Sequence, residues 1–213
     1  MGDLSDIFHK ITSWSIMQSQ YPLVDMKSTI DNKIYRVRDL PDKQEAANLL
    51  AKVRIKMSNL MTHLETKYQD KPQIQRLVRN FRANPERLLE STPDADHTSY
   101  SVNKGEKVHL CLRQREGGNE QLVNDNVMMF VALHEMAHMI TATIGHGPDF
   151  WNNFGFLLKE AEQQGIYKHQ DFKSHPVAYC GVSITDAPSY DPSKDTETTP
   201  QAGNNLQIGT LRF

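Results

Sequence analysis

The sequence predicts an α+β fold with a helical N-terminal region, a β-hairpin and a pair of helices joined by a tight turn. Three observations predict it. A stripe of apolar residues at helical spacing runs from Ala46 to Leu64. A strict alternation places Val108, Leu110 and Leu112 on one side of a strand and Lys107, His109 and Arg113 on the other. A near-continuous apolar run from Val127 to Ala137 is broken only by His134 and Glu135, the pattern of a buried helix. These features divide the 213 residues into a helical region over 1–96, a core over 97–185 and a polar tail over 186–213.

Taken in order, Ile7, Ile11, Trp14 and Met17 recur at helical spacing and predict a short amphipathic helix over 4–17. Such a helix docks on the body of the protein or on an assembly partner. Ile34-Tyr35-Arg36-Val37 reads as a short strand. Asp42-Lys43-Gln44-Glu45 has the spacing of a capping box, and the helix it opens runs to about Thr66. Residues 72–82 form a second helix with Ile74, Leu77, Val78 and Phe81 inward, and residues 85–90 a further helical turn. Lys67, Lys71, Arg76, Arg79, Arg82 and Arg87 make this stretch basic. A solvated helix face accounts for them; a weak nucleic-acid contact through the basic helix over 72–87 is the sharper reading.

Asn103-Lys104-Gly105 supplies a turn, so residues 100–113 form a hairpin. Asn124 or Asp125 caps the following apolar helix. Thr141, Thr143 and Gly145 weaken it downstream, and Gly145 and Gly147 flank His146 where the chain must turn back. Pro148 suits the first turn of a new helix, along which Phe150, Phe154, Leu157, Leu158 and Ala161 recur. The segment 165–182 reads as a loop-like wall folded against the apolar helix. Residues 186–205 are too polar to order themselves and form a flexible tail. The final residues, 206–213, alternate in polarity and suit a strand docked on this chain or on another.

The chemistry lies in His134-Glu135-Met136-Ala137-His138 and in His146 eight residues later. On a helix, residues four apart share a face, so His134 and His138 can hold one metal ion. Glu135 is then placed to reach a water on that ion. His146 completes three protein ligands and leaves a fourth position open, as a catalytic zinc site requires. Zinc is favoured by the ligand type.

His134-Glu135-Met136-Ala137-His138 followed by Gly145-His146-Gly147-Pro148-Asp149-Phe150-Trp151 resembles the SprT-like and WLM group of zinc metallopeptidases. Residues 100–113 and 153–180 are also similar to WLM-like proteins of large DNA viruses. The spacer from His138 to His146 is short compared with many SprT members. The resemblance implies a zincin-like core, a small antiparallel or mixed sheet packed on the helix that carries the H-E-x-x-H motif. It implies that His134, His138 and His146 are zinc ligands, that Glu135 is the general base, and that the chain is a zinc-dependent endopeptidase. In the metallopeptidases it resembles, an edge strand beside the active helix takes the substrate as an added strand, a role that would fall here to residues 107–113. The group includes enzymes that digest proteins crosslinked to DNA, which extends the substrate class to DNA-associated proteins. The alternative is a structural or adaptor protein, a virion component if the source is viral, that keeps the zinc-bound fold without general protease activity. Tyr167, His169, His175 and Tyr179 are the downstream candidates for stabilising an oxyanion, and Asp149 reads as a helix-start residue.

Composition adds bounds. Hydrophobic residues make up 38% of the chain and the formal net charge is −2, so no global charge drives it to nucleic acid or to a membrane. No long apolar run suggests a membrane span or a signal peptide. Cys111 and Cys180 have no paired spacing and read as free, buried thiols, consistent with a reducing, intracellular compartment.

Overall fold

A computed structural model of the chain describes residues 20–82, 87–115, 120–195 and, for the backbone, 208–210. The helix expected over 4–17 lies outside the described residues. The architecture is α+β, as the sequence predicts. One six-stranded sheet has the order β1-β2-β3-β5-β4-β8, built from β1 (Leu23–Lys27), β2 (Ile34–Arg38), β3 (Leu88–Glu90), β4 (Tyr100–Val102), β5 (Lys107–Leu110) and β8 (Ile208–Thr210). Four helices accompany it: α1 (Lys43–Lys67), α2 (Pro72–Arg82), α3 (Asp125–Ile140) and α4 (Pro148–Gln163). A separate hairpin joins β6 (Val177–Tyr179) to β7 (Val182–Ile184). No helix among the described residues is long and apolar enough to cross a membrane.

α3 is the centre of the molecule. Every residue from Val127 to Ile140 is buried, which is why its sequence is apolar all round rather than striped. Asn124 caps it, its side chain accepting from the backbone N–H groups of Asn126 and Val127. α1, α2 and α4 pack on it, and β4 and β5 also touch it. Phe130 shows the density of this core, with ring centroids of Phe172 at 4.7 Å and Phe154 at 5.1 Å. Burying one such side chain contributes about 1.5–3 kcal/mol. α1 buries the stripe from Ala46 to Leu64 read from sequence. Its start departs from expectation: Asp42 stands at the cap position but makes no cap hydrogen bond. The carboxylate is drawn instead to Arg113. The Arg113 guanidinium also donates to buried Glu90, which accepts from the Arg38 backbone N–H as well. This group ties β2, β3, the end of β5 and the start of α1 together.

Three further corrections matter for the site. First, residues 88–90, expected in a helical turn, are strand β3, lying parallel to both β2 and β5. Pairing with partners distant in sequence overrides the local pattern. The boundary expected at residue 97 therefore runs through a single sheet. Second, the hairpin of β4 and β5 forms in the expected register, Tyr100 opposite His109, but β5 is hydrogen-bonded on both sides. It cannot accept an added strand. β4 is the outer strand of the pair, and β8 lies along its far side. Third, Cys111 and Cys180 form a disulfide with Cα atoms 6.4 Å apart. This corrects the reading of two free thiols and removes the argument for a reducing, intracellular compartment that rested on it. The pairing arises because the β6–β7 hairpin folds back on the end of β5, where the Cys180 N–H donates to Gln114 and Gln114 donates to the Ala178 carbonyl.

The chain after β7 has defined contacts in its first part. Residues 186–195, expected as the start of a flexible tail, pass over α4. Tyr190 packs edge-on against Phe156, the Asp191 N–H donates to Asn152, and Asp195 accepts from Lys71 and Tyr190. These contacts fix the segment in a way its polar composition does not suggest.

Candidate metal centre

α3 carries His134, Glu135 and His138 at its C-terminal half, and the 141–147 turn returns His146 to the same point. Gly145 takes φ +82°, a left-handed value that favours glycine, and Gly147 caps α4 in an extended conformation. Pro148 opens α4 as expected. Lys104, in the β4–β5 turn, holds the return loop. Its Nζ donates to the carbonyls of Thr141 at 3.0 Å and Thr143 at 2.6 Å. Asn153 donates to the Thr141 hydroxyl, and the Thr143 hydroxyl donates to Asp149 in the first turn of α4.

The three imidazoles converge. His146 Nε2 stands 3.2 Å from both His134 Nε2 and His138 Nε2. A single ring proton cannot serve two nitrogens at once. A tetrahedral zinc ion, with Zn–N distances of about 2.0–2.1 Å, sets ligand nitrogens about 3.3 Å apart. The cluster fits such an ion, and the three residues could hold one. Burial, helped by His146 and Lys104, pushes the His138 pKa down to about 3, so its ring is neutral and able to ligate. One aromatic ring braces all three: the Phe150 centroid lies 5.0 Å from His134 and 4.5 Å from both His138 and His146. Trp151 stacks obliquely on His146. His134 and His138 are buried and His146 half-buried.

Glu135 is fully buried, and neither carboxylate oxygen has a hydrogen bond of ordinary geometry. Burial pushes its pKa up to about 8, opposed only by the nearby Ser101 hydroxyl. Ser101 is the middle residue of β4 and is itself buried. An unpartnered buried carboxylate is costly unless another charge or ligand meets it. A divalent cation beside it would act against the upward shift.

Three of the four candidates for a second electrophile are engaged elsewhere, and the fourth is exposed. Tyr167 is buried with its ring near Phe130, His169 pairs with Glu162, and His175 is exposed. Tyr179 comes closest: burial and the Glu135 carboxylate both push its hydroxyl pKa up. That hydroxyl donates to the Cys111 carbonyl and is shared with Ser99. His109 stacks on Tyr100 with centroids 4.4 Å apart and lies outside the metal cluster. The residues that sequence reasoning missed are Ser101 and Lys104. The hairpin register carries a signal for the first, since Ser101 lies opposite inward-facing Val108. The basic stretch is largely committed within the fold. Lys67 binds Glu160, Lys71 binds Asp195, Arg76 donates to the Ile140 carbonyl, Arg82 pairs with Glu65 and Arg87 is buried.

An α+β fold with three convergent histidines on and just after one buried helix defines a protein with a candidate metal site. The WLM domain matches residues 29–211, and the chain belongs to this family. That membership points to a metallopeptidase-type function. An uncharacterised protein of Acanthamoeba polyphaga mimivirus is 39% identical over 165 residues, covering 75% of this chain and 81% of that protein. An uncharacterised protein of Invertebrate iridescent virus 6 is 33% identical over 82 residues, 38% of this chain and 44% of its own length. One from Invertebrate iridescent virus 3 is 38% identical over 87 residues, 41% and 52% respectively. Among solved structures, Wss1 from Saccharomyces cerevisiae is similar at a TM-score of 0.44 with 25% identity, over 61% of this chain and 89% of that one.

Proposed function

We propose that this protein is a zinc-dependent endopeptidase, with His134, His138 and His146 holding the ion and Glu135 acting as general base. The observation that carries the reading is that His146 Nε2 stands 3.2 Å from Nε2 of both His134 and His138, beside a Glu135 whose two buried oxygens lack hydrogen bonds of ordinary geometry. Bound there, zinc would supply a Lewis acid that acidifies a water and polarises the scissile carbonyl. The chain's own residues do the rest. Glu135 takes the proton of the attacking water and returns it to the leaving amine. Ser101 lies near that carboxylate on the β4 side. Phe150 packs against the three imidazoles and limits their movement. Substrate is an extended peptide, recognised mainly through its backbone along β4.

A second reading, an assembly protein that keeps the zinc-bound fold without general protease activity, is favoured by one observation. The outer side of β4 is already paired with β8. Cleavage of an unfolded protein such as casein by wild type and by Glu135→Gln tests the first reading. The substitution keeps the shape and removes the base, so cleavage should fall by about 10²–10⁴-fold with zinc content unchanged. Equal cleavage by both proteins would remove Glu135 from the chemistry.

A further inference from the structure

We infer that the C-terminal strand Ile208–Thr210 is an intramolecular occupant of the peptide-binding edge of this site, so that the chain blocks its own cleft and substrate must displace the strand. The inference rests on the peptidase reading only for what the displaced strand gives way to; the pairing itself stands on the fold. Within the six-stranded sheet, β4 lies beside α3, and its middle residue, Ser101, faces Glu135. The turn after β4 stays against the same helix: Gly105 abuts Met139, and Lys104 holds the loop that delivers His146. Without β8, β4 would end the sheet and present a row of unpaired backbone groups on the strand that packs against α3. The other end of the sheet, β1, lies four strands away from β4 and packs on α1.

β8 fills that edge in the antiparallel sense, with Val102 opposite Ile208, Ser101 opposite Gly209 and Tyr100 opposite Thr210. Gly209 thus stands across from the residue that meets the general base. Glycine at 209 places no side chain on the strand opposite Ser101. Among the described residues, three pairs join the two strands. The strand belongs to the same chain as β4, and covalent connection keeps a weak strand at high effective concentration. The partner is therefore this chain's own C-terminus, and a free peptide competes with it for the same backbone groups.

The test uses the full chain in a Glu135→Gln background, so that binding is read without cleavage. Successive strand residues point their N–H groups alternately toward and away from the partner, so prolines at both Gly209 and Thr210 remove a ladder donor in either phase. A fluorescent peptide copying residues 205–213 should bind the Gly209→Pro/Thr210→Pro chain about tenfold more tightly than the chain with its own strand intact. Amide exchange at Tyr100–Val102 should be faster in the proline variant. Equal peptide affinities, or no binding to either chain, would overturn the proposal. Protection of Tyr100–Val102 that falls on dilution would also overturn it, because the strand would then come from a second copy. With Glu135 restored, the proline variant should cleave peptides about tenfold faster. Tighter peptide binding with no cleavage by either chain would sink the peptidase reading and leave the strand occupancy standing.

Discussion

Lys104 Nζ donates to the Thr143 carbonyl at 2.6 Å, joining the β4–β5 turn to the loop that carries His146. It also meets the Thr141 carbonyl at the end of α3. Burial, reinforced by Arg76, pushes the lysine's pKa down to about 8, while Asp149 opposes the shift. Lys104→Met should therefore cost about 1–3 kcal/mol, the usual loss when charged hydrogen bonds leave buried carbonyls unmet. Urea unfolding gives the free energy, and amide exchange over 142–147 should quicken. Unchanged exchange would mean that the loop holds His146 without this lysine.

Gly155 lies under the segment that follows β7. A Cβ there would stand 2.6 Å from the carbonyl carbon and oxygen of Ser189. Backbone cannot yield as a flexible side chain can, so Gly155→Ala should lift residues 186–195 from α4 and cost about 1–3 kcal/mol. Limited proteolysis would show cleavage within that segment in the variant and not in wild type. Identical digestion patterns would contradict the packing described.

Glu160 gathers Tyr68 at 2.7 Å, His63 at 2.9 Å and Lys67 at 3.0 Å around one buried carboxylate. Burial alone would raise its pKa, but the hydrogen bonds from Tyr68, His63 and Lys67 together outweigh that and hold it below the ordinary glutamate value of 4.5. A lowered carboxylate favours folding when ionised. Its contribution is complete above about pH 4.5 and is lost as the pH falls through the lower folded value. Glu160→Gln should lose about 1–3 kcal/mol at neutral pH and show a shallower loss of stability in acid. Parallel acid limbs for variant and wild type would rule this out.

The Cys111–Cys180 bond spans 69 residues of sequence. Closing a loop of that length restricts the unfolded chain by about 4 kcal/mol. The double substitution Cys111→Ser/Cys180→Ser should lower the unfolding free energy by up to that amount, and reduction of wild type should match it. A wild type indifferent to reductant would show that the thiols are not bonded in solution.

The convergence of the three histidines is legible because its information is local. Two ligands share one helix face, and the third follows across a short turn whose Gly145 and Pro148 announce themselves. The Asn124 cap and the β4–β5 turn are local in the same way. β3 was not legible, because Leu88–Glu90 becomes a strand only between β2 and β5, one far upstream and one downstream. Its placement in turn makes β5 an inner strand and moves the available edge to β4. Ser101 and Lys104 gain their roles only through that arrangement. Asp42 shows the converse: a sound local capping signal is overridden by a buried arginine from the end of β5. The disulfide and the pairing of β8 likewise depend on long-range returns of the chain that no spacing records.

The most direct test of the account is metal binding by the His134, His138 and His146 set, measured by titrating metal-free wild type and His146→Ala with cobalt(II) and then zinc. Wild type should bind about one ion per chain, with the intense visible absorption of four-coordinate cobalt, displaced by zinc. His146→Ala should bind more weakly by about a hundredfold or more. Equal affinity in the two proteins, or no cobalt spectrum in wild type, would contradict it.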